Sequence, residues 1–207
     1  DGVTALFDIQ NFTGLTGDKE IYDIYVEDAS TIYIAANYGI SQLNLTNKEF
    51  SFTTFTGVPV RNVHVYDGQI YAAADDGLYR IDQTNAFPED FNQWERMEGG
   101  AFPLEYSASS LVQYNDQLYM ALNDTIFTFQ NEELTFFYHE EDFAVPFMTA
   151  EGARLLAGME CKLENCDGKV YYFDEEGNQE EDPNCVSRPK YAIEDEKGLI
   201  WFADGFR

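Results

Sequence analysis

Histidine, cysteine and basic side chains are all scarce in this 207-residue chain, and each shortage removes a class of function. Twelve Lys and Arg stand against 38 Asp and Glu, a net charge of −26. Nucleic acid, whose phosphates demand a basic footprint, is thereby excluded as a partner. Electrostatic docking to an anionic membrane surface is disfavoured for the same reason. No stretch approaches the roughly 18 apolar residues of a membrane helix, so direct membrane insertion is not expected. The acids read as solvation of strand edges and loops, in a saline medium as well as in ordinary water. A cation-attracting or calcium-dependent surface is the alternative.

There are two histidines. His64 lies within Val63-His64-Val65, on a strand, and His139 sits beside Glu140 and Glu141. Neither stands near a Ser or Cys in a nucleophile setting such as an elbow turn, so both read as structural or surface residues and no catalytic residue is assigned. Acids are abundant enough that a glycosidase pair can be drawn on paper. The inner strands, however, offer few: Asp23, Glu27 and Glu194. The chain is therefore read as a non-enzyme with no cofactor.

Of the three cysteines, Cys161 and Cys166 flank Lys162-Leu163-Glu164-Asn165 at the base of a short hairpin insertion, within bridging reach. Cys185, beside Pro183 and Asn184, is a rival partner for either, and free thiols remain an alternative. With no His nearby, three scattered thiols make a poor zinc set. A disulfide would imply an oxidising, extracytoplasmic location, in the periplasm, at the cell surface or secreted. Two loops, Asp174-Glu175-Glu176-Gly177-Asn178 and Cys166-Asp167-Gly168, gather oxygen ligands around a glycine but lack the twelve-residue calcium pattern. Hairpin turn chemistry explains both, and no metal ligand is assigned. Asn11, Asn44 and Asn123 head Asn-X-Thr triplets, and Asp124-Thr125-Ile126 resembles a bacterial O-glycosylation pattern of Bacteroidota.

Aromatics are plentiful, 14 Tyr and 17 Phe, and they recur in order. Ile32–Ala36, Ile70–Ala74, Leu118–Leu122, Arg154–Gly158 and Ile200–Asp204 are short apolar strands, most of them anchored by Tyr or Trp at the second residue. Those second residues are spaced by 38, 48, 36 and 46 residues, the length of a propeller blade and not of a helical solenoid unit. Another strand precedes each run, Phe147 to Gly152 before the fourth, a third follows four of them after a tight turn, and a fourth, such as Phe91 to Met97, closes several units. Four strands per unit make one antiparallel blade. The expected fold is all-β: a β-propeller of about four complete blades with partial blades at both ends, part of a larger ring for which seven blades is the candidate number.

The expected organisation is one domain over residues 1–207, with blades at about 20–57, 58–99, 107–142, 145–184 and 188–207. Residues 1–14 supply an outer strand of a preceding blade, because Phe7–Gly14 matches Phe50–Gly57. A further chain segment or subunit is expected to close the ring, since unclosed sheets leave edges exposed. Asp1 is not an initiator Met, which fits removal of an upstream segment. Connecting loops collect on propeller rims, so protein or glycan binding is placed there. The candidate loops are residues 85–90, residues 99–106 with Phe102, and residues 179–188 with Pro183, and Trp94 is a further aromatic candidate.

Two resemblances rest on named residues. Glu194-Asp195-Glu196-Lys197-Gly198-Leu199-Ile200-Trp201-Phe202-Ala203-Asp204 looks like the two-component-regulator propeller repeat, and Tyr66–Asp82 follows the same pattern with Tyr for Trp. Gly77–Asp82 followed by Asp90-Phe91-Asn92-Gln93-Trp94, together with Tyr114–Tyr119 and Trp201–Asp204, is similar to the PorZ family of Bacteroidota. That likeness implies an exported cell-surface component of the type IX secretion system attachment complex. It implies two seven-bladed propellers and a C-terminal domain, with lipopolysaccharide passed to a sortase. The broader likeness implies the periplasmic glycan-sensing domain of a hybrid two-component regulator. The Cys-bearing insertion departs from the PorZ pattern.

Overall fold

Four short, antiparallel, up-and-down sheets and one two-stranded hairpin make up a computed structural model that describes residues 19–150, 153–183 and 187–205. The expected outer strand at Phe7–Gly14 and Cys185 lie outside the described residues. The chain divides into two compact units, Asp1–Met97 and Glu98–Arg207.

The first unit holds two blades. One is β1 (Ile21–Val26), β2 (Thr31–Ala36), β3 (Gly39–Asn44) and β4 (Glu49–Phe55); the other is β5 (Val60–Tyr66), β6 (Gln69–Ala74), β7 (Gly77–Asp82) and β8 (Glu95–Arg96). The second unit holds β9 (Ala108–Tyr114), β10 (Gln117–Leu122), β11 (Thr125–Gln130) and β12 (Glu133–His139), then β13 (Phe143–Thr149), β14 (Leu155–Cys161), β15 (Lys169–Phe173) and β16 (Gln179–Glu181). The pair β17 (Pro189–Glu194) and β18 (Ile200–Asp204) follows. The expected all-β fold of four-stranded antiparallel blades is what the structure has.

Register comes from the turns. Asn115 and Asp116, and Asn123 and Asp124, all take positive φ in two-residue hairpin turns, as Asp67 and Gly68 do. This is the left-handed geometry that matches strand twist. Gly39 and Gly77 open β3 and β7 at φ +133° and +148°, where a Cβ would meet the Thr54 carbonyl or the Arg96 guanidinium. Glycine is therefore required twice at equivalent points of the two blades.

The second strands explain why four of the five apolar runs stood out. Tyr33–Ala36, Ile70–Ala74, Leu118–Leu122 and Leu155–Met159 are buried on both faces, so they read as continuous apolar segments and not as alternating ones. In the first unit Tyr33, Ile40, Val63, Ile70, Tyr79 and Trp94 share one core. In the second, Tyr119, Ile126, Val145, Leu155, Tyr171 and Phe173 share another. Each large side chain so buried contributes about 1.5–3 kcal/mol.

Three stretches differ from expectation. Phe91–Met97 is not one strand: Asp90 caps a 3-10 turn at Phe91–Gln93, and the pairing with β7 starts only at Glu95 and Arg96, with Met97 N donating to the Leu78 carbonyl at 2.8 Å. The strand read as starting at Phe147 begins at Phe143, since a bulge between Ala144 and Phe147 carries Pro146. Within the stretch read as a loop, Gln179–Glu181 pairs with β15.

Candidate functional site

The first strands of the blades carry the polar groups that sequence reasoning put nearest to chemistry. In the first unit β1 lies against β5, and each has a bulge, between Ile21 and Asp23 and between Val60 and Asn62. A bulge re-aims side chains, and here it aligns three rungs across the seam. The Arg61 guanidinium lies 4.3 Å above the Tyr22 ring and holds Asp75 through Nε and Nη2 at 2.6 and 2.7 Å. Asn62 Nδ2 donates to Asp23 Oδ2 at 2.9 Å. The Tyr25 and His64 rings stand 4.4 Å apart. Beyond them, Gln83 Nε2 donates to Glu27, and Gln42 Nε2 donates to the Tyr33 hydroxyl at 2.7 Å.

Burial sets the electrostatics of this seam. It raises the Asp23 carboxyl above its usual range, against the pull of the Ile24 and Val63 amides. It also depresses the His64 imidazole to about 4, and His64 Nε2 is buried with no hydrogen-bond partner among the described residues. Burial, with the Glu27 charge adding, pushes Tyr33 up to about 12. A buried acid with a raised pKa is the usual mark of a general acid. Here, however, Asp23 meets a carboxamide and two backbone N–H groups, which hold a carboxylate in place and pass it no proton.

The second unit joins its first strands differently. Ser109 Oγ donates to the Val145 carbonyl at 2.7 Å, Ser110 Oγ accepts from Met148 N at 2.8 Å, and Thr149 Oγ1 donates to the Ala192 carbonyl at 2.6 Å. Glu194, the other acid considered for catalysis, is bound by Arg154 Nη2 at 2.9 Å and Nε at 3.3 Å. The same guanidinium stacks 4.4 Å over the Tyr172 ring.

The rim residues fall into distinct settings. Trp94 is 6% exposed, and its Nε1 donates to the Pro88 carbonyl at 2.9 Å, so the ring serves the core of the first unit. Phe102 is half-buried, 6.0 Å from the Tyr106 ring and 6.2 Å from that of Phe129. Pro183 is exposed after β16. Cys161 and Cys166 form a disulfide with Cα atoms 5.9 Å apart, and inside the loop they close Lys162 Nζ reaches Asp124 Oδ2 at 2.6 Å.

Asp174, in one of the loops considered for calcium, spends its carboxylate on Glu176 N, Asn178 N and Asn178 Nδ2 at 2.8–2.9 Å. Among the described residues no group of three or more His, Cys, Asp or Glu side chains could hold a metal. No helix among them is long and apolar enough to cross a membrane.

One cluster escaped the sequence reading. Glu140 accepts from Lys169 Nζ at 2.7 Å, from the Tyr171 hydroxyl at 2.7 Å and from the Tyr138 hydroxyl at 3.1 Å. Burial would raise its pKa, but these donors outweigh it and hold the carboxyl below the usual value. The residues come from β12, its exit and β15, so only the pairing of blades could have revealed them.

Residues 1–95 match the model of the PorZ N-terminal β-propeller domain of the type IX secretion system. The match covers just under half of the chain, and the resemblance to this family read from the sequence is shown over that stretch. A comparison with curated proteins found no match. Among solved structures, the extracellular domain of a B. thetaiotaomicron protein assigned to the hybrid two component systems is similar at 15% identity and a TM-score of 0.63, over 89% of this chain and 26% of that one. PorZ, a bacterial surface component of the type IX secretion system of Porphyromonas gingivalis, gives 15% and 0.62 over 83% and 22%. Hydrazine synthase of Kuenenia stuttgartiensis gives 13% and 0.59 over 91% and 56%. At such identities the likeness establishes the propeller fold alone, which a secretion-system component, a two component system and an enzyme share. The chain spans about a quarter of the length of the first two.

Proposed function

We propose that this chain is a non-enzymatic, extracytoplasmic propeller scaffold that binds protein partners or a glycan such as lipopolysaccharide, as a component of a type IX secretion system. The observation that carries the reading is the PorZ match over residues 1–95, which nearly fills the compact unit Asp1–Met97. The local chemistry agrees with it, since Asp23 and Glu194 are committed to Asn62 and Arg154. On this reading residues 1–207 form one run of blades, with a further segment or subunit closing the ring, and the binding loops lie on the rims.

A second reading, the glycan-sensing domain of a hybrid two-component regulator, is favoured by the likeness to the B. thetaiotaomicron extracellular domain. Deleting the gene and restoring the full-length protein separates the two. The scaffold reading expects loss of type IX cargo secretion, restored by complementation, with the protein open to protease on intact cells. The sensor reading expects intact secretion and loss of a glycan-induced transcriptional response. Turnover of any member of a glycan panel by the purified protein would contradict both.

A further inference from the structure

We propose that the loop between β7 and β8 is a pre-organised docking finger that inserts Phe87 into an apolar pocket with a basic rim on a partner protein. The inference rests on the scaffold reading and names a surface for it. Phe87 is 61% exposed, yet the backbone that carries it is fixed from both sides. At the entry, Asp82 Oδ1 accepts from Thr84 N at 2.8 Å, Asn85 N donates to the Asp82 carbonyl at 2.9 Å, and Phe87 N donates to Asn85 Oδ1 at 2.9 Å. At the exit, Asp90 N donates to the Phe87 carbonyl at 3.2 Å.

The anchor is Pro88. Its carbonyl accepts from Thr54 Oγ1 at 2.7 Å and from Trp94 Nε1 at 2.9 Å, which uses both acceptor sites. Both donors are buried, Thr54 at 0% and Trp94 at 6% exposure, so the loop is pinned to the core of the first unit immediately beside Phe87. A lone exposed apolar residue needs no explanation. An aromatic ring on a loop whose ordering cost has already been met is a different object, because pre-organisation is what lets a contact convert into affinity. Buried aromatic anchors of this kind dominate interface energetics.

Charge selects the partner. Asp82, Glu89 and Asp90 flank Phe87 in the sequence of the loop, and residues 82–90 contain no Lys or Arg. Hydrogen bonds to Thr84 and to Asn92 hold the Asp82 and Asp90 carboxyls below the usual range, so the acids stay charged in mildly acidic media. An anionic lipid surface would be repelled, whereas a Lys- or Arg-rimmed pocket would be steered onto the loop.

The test places the photo-crosslinker p-benzoylphenylalanine at position 87 of the full-length protein in intact cells, with position 45 as an exposed control in the same unit. The expected result is one discrete protein adduct from position 87 and none from position 45. The partner, identified and purified, should bind Phe87→Ala at least tenfold more weakly than wild type. Phe87→Tyr should bind nearly as well, Glu89→Lys with Asp90→Lys should bind more weakly, and wild-type affinity should fall as salt rises. A lipid adduct, no adduct at 87, or equal affinity for wild type and Phe87→Ala would overturn the proposal. An adduct at a different rim loop alone overturns the finger and leaves the scaffold reading standing. Loss of that reading would show instead as intact cargo secretion in the deletion strain.

Discussion

The two units solve the same problem, fastening the first strand of one blade to that of the next, with different chemistry. In Asp1–Met97 the seam is made of side-chain pairs, Tyr22 with Arg61, Asp23 with Asn62 and Tyr25 with His64. In Glu98–Arg207 it is made of hydroxyls bonded to backbone, from Ser109, Ser110 and Thr149. The first arrangement contains groups that titrate and the second does not. The polar pairs of the first unit each bridge β1 and β5.

The largest way to sharpen this contrast is His64. Its folded pKa is depressed to about 4 from the ordinary 6.5, so the unfolded chain takes up the proton first. The stability it contributes is complete above pH 6.5 and is lost as pH falls toward 4, by roughly 3 kcal/mol. The chain has two tryptophans, Trp94 in the first unit and Trp201 in the second. Trp94 fluorescence during urea unfolding of Trp201→Phe therefore reports the first unit. That unit should weaken between pH 6.5 and 4, and adding His64→Phe should remove the loss. The second unit should yield only at lower pH, as pH falls through the lowered folded pKa of Glu140.

Replacing both Cys161 and Cys166 by Ser should act on the second unit alone. The loop they close spans a sequence separation of 5, for which chain-entropy loss is about 2 kcal/mol. Urea midpoints read from Trp201 in Trp94→Phe should fall, with Lys162 released from Asp124. Thr149→Val is smaller. It leaves the Ala192 carbonyl without its 2.6 Å donor and should cost about 1–2 kcal/mol, with no change in that cost between pH 7 and 5. Amide exchange in β13 and β17 measures it.

Much of the fold was legible because its signals are local. The buried second strands and the Asp-Gly and Asn-Asp turns are each contained in a dozen residues or fewer, and the blade spacing is read by comparing such short copies along the chain. The bulge that admits Pro146 into β13 was not legible, because a Pro in an apolar run reads as a strand start or end. Nor could Trp94 be placed from sequence: its burial depends on the Pro88 carbonyl, which only the folded β7–β8 loop presents. The Glu140 cluster and the seam pairs are long-range, with Asp23 and Asn62 separated by 39 residues, and composition carries no trace of such pairings. The Cys161–Cys166 pairing was within reach because its partners share one hairpin.

Asp23→Asn tests most directly whether the inner seam is structural or catalytic. The folded pKa of Asp23 is raised because burial disfavours its charged form relative to the unfolded chain, so the stability it gives is lost as pH rises through that value. Asn resembles the neutral form and can still accept from Asn62. The full-length Asp23→Asn protein should therefore be at least as stable as wild type at pH 7, with its advantage shrinking toward pH 4. It should also restore cargo secretion to the deletion strain. A variant that folds with undiminished stability yet fails to restore secretion would contradict the account, because it would show the Asp23 carboxyl acting in function and not in joining the blades.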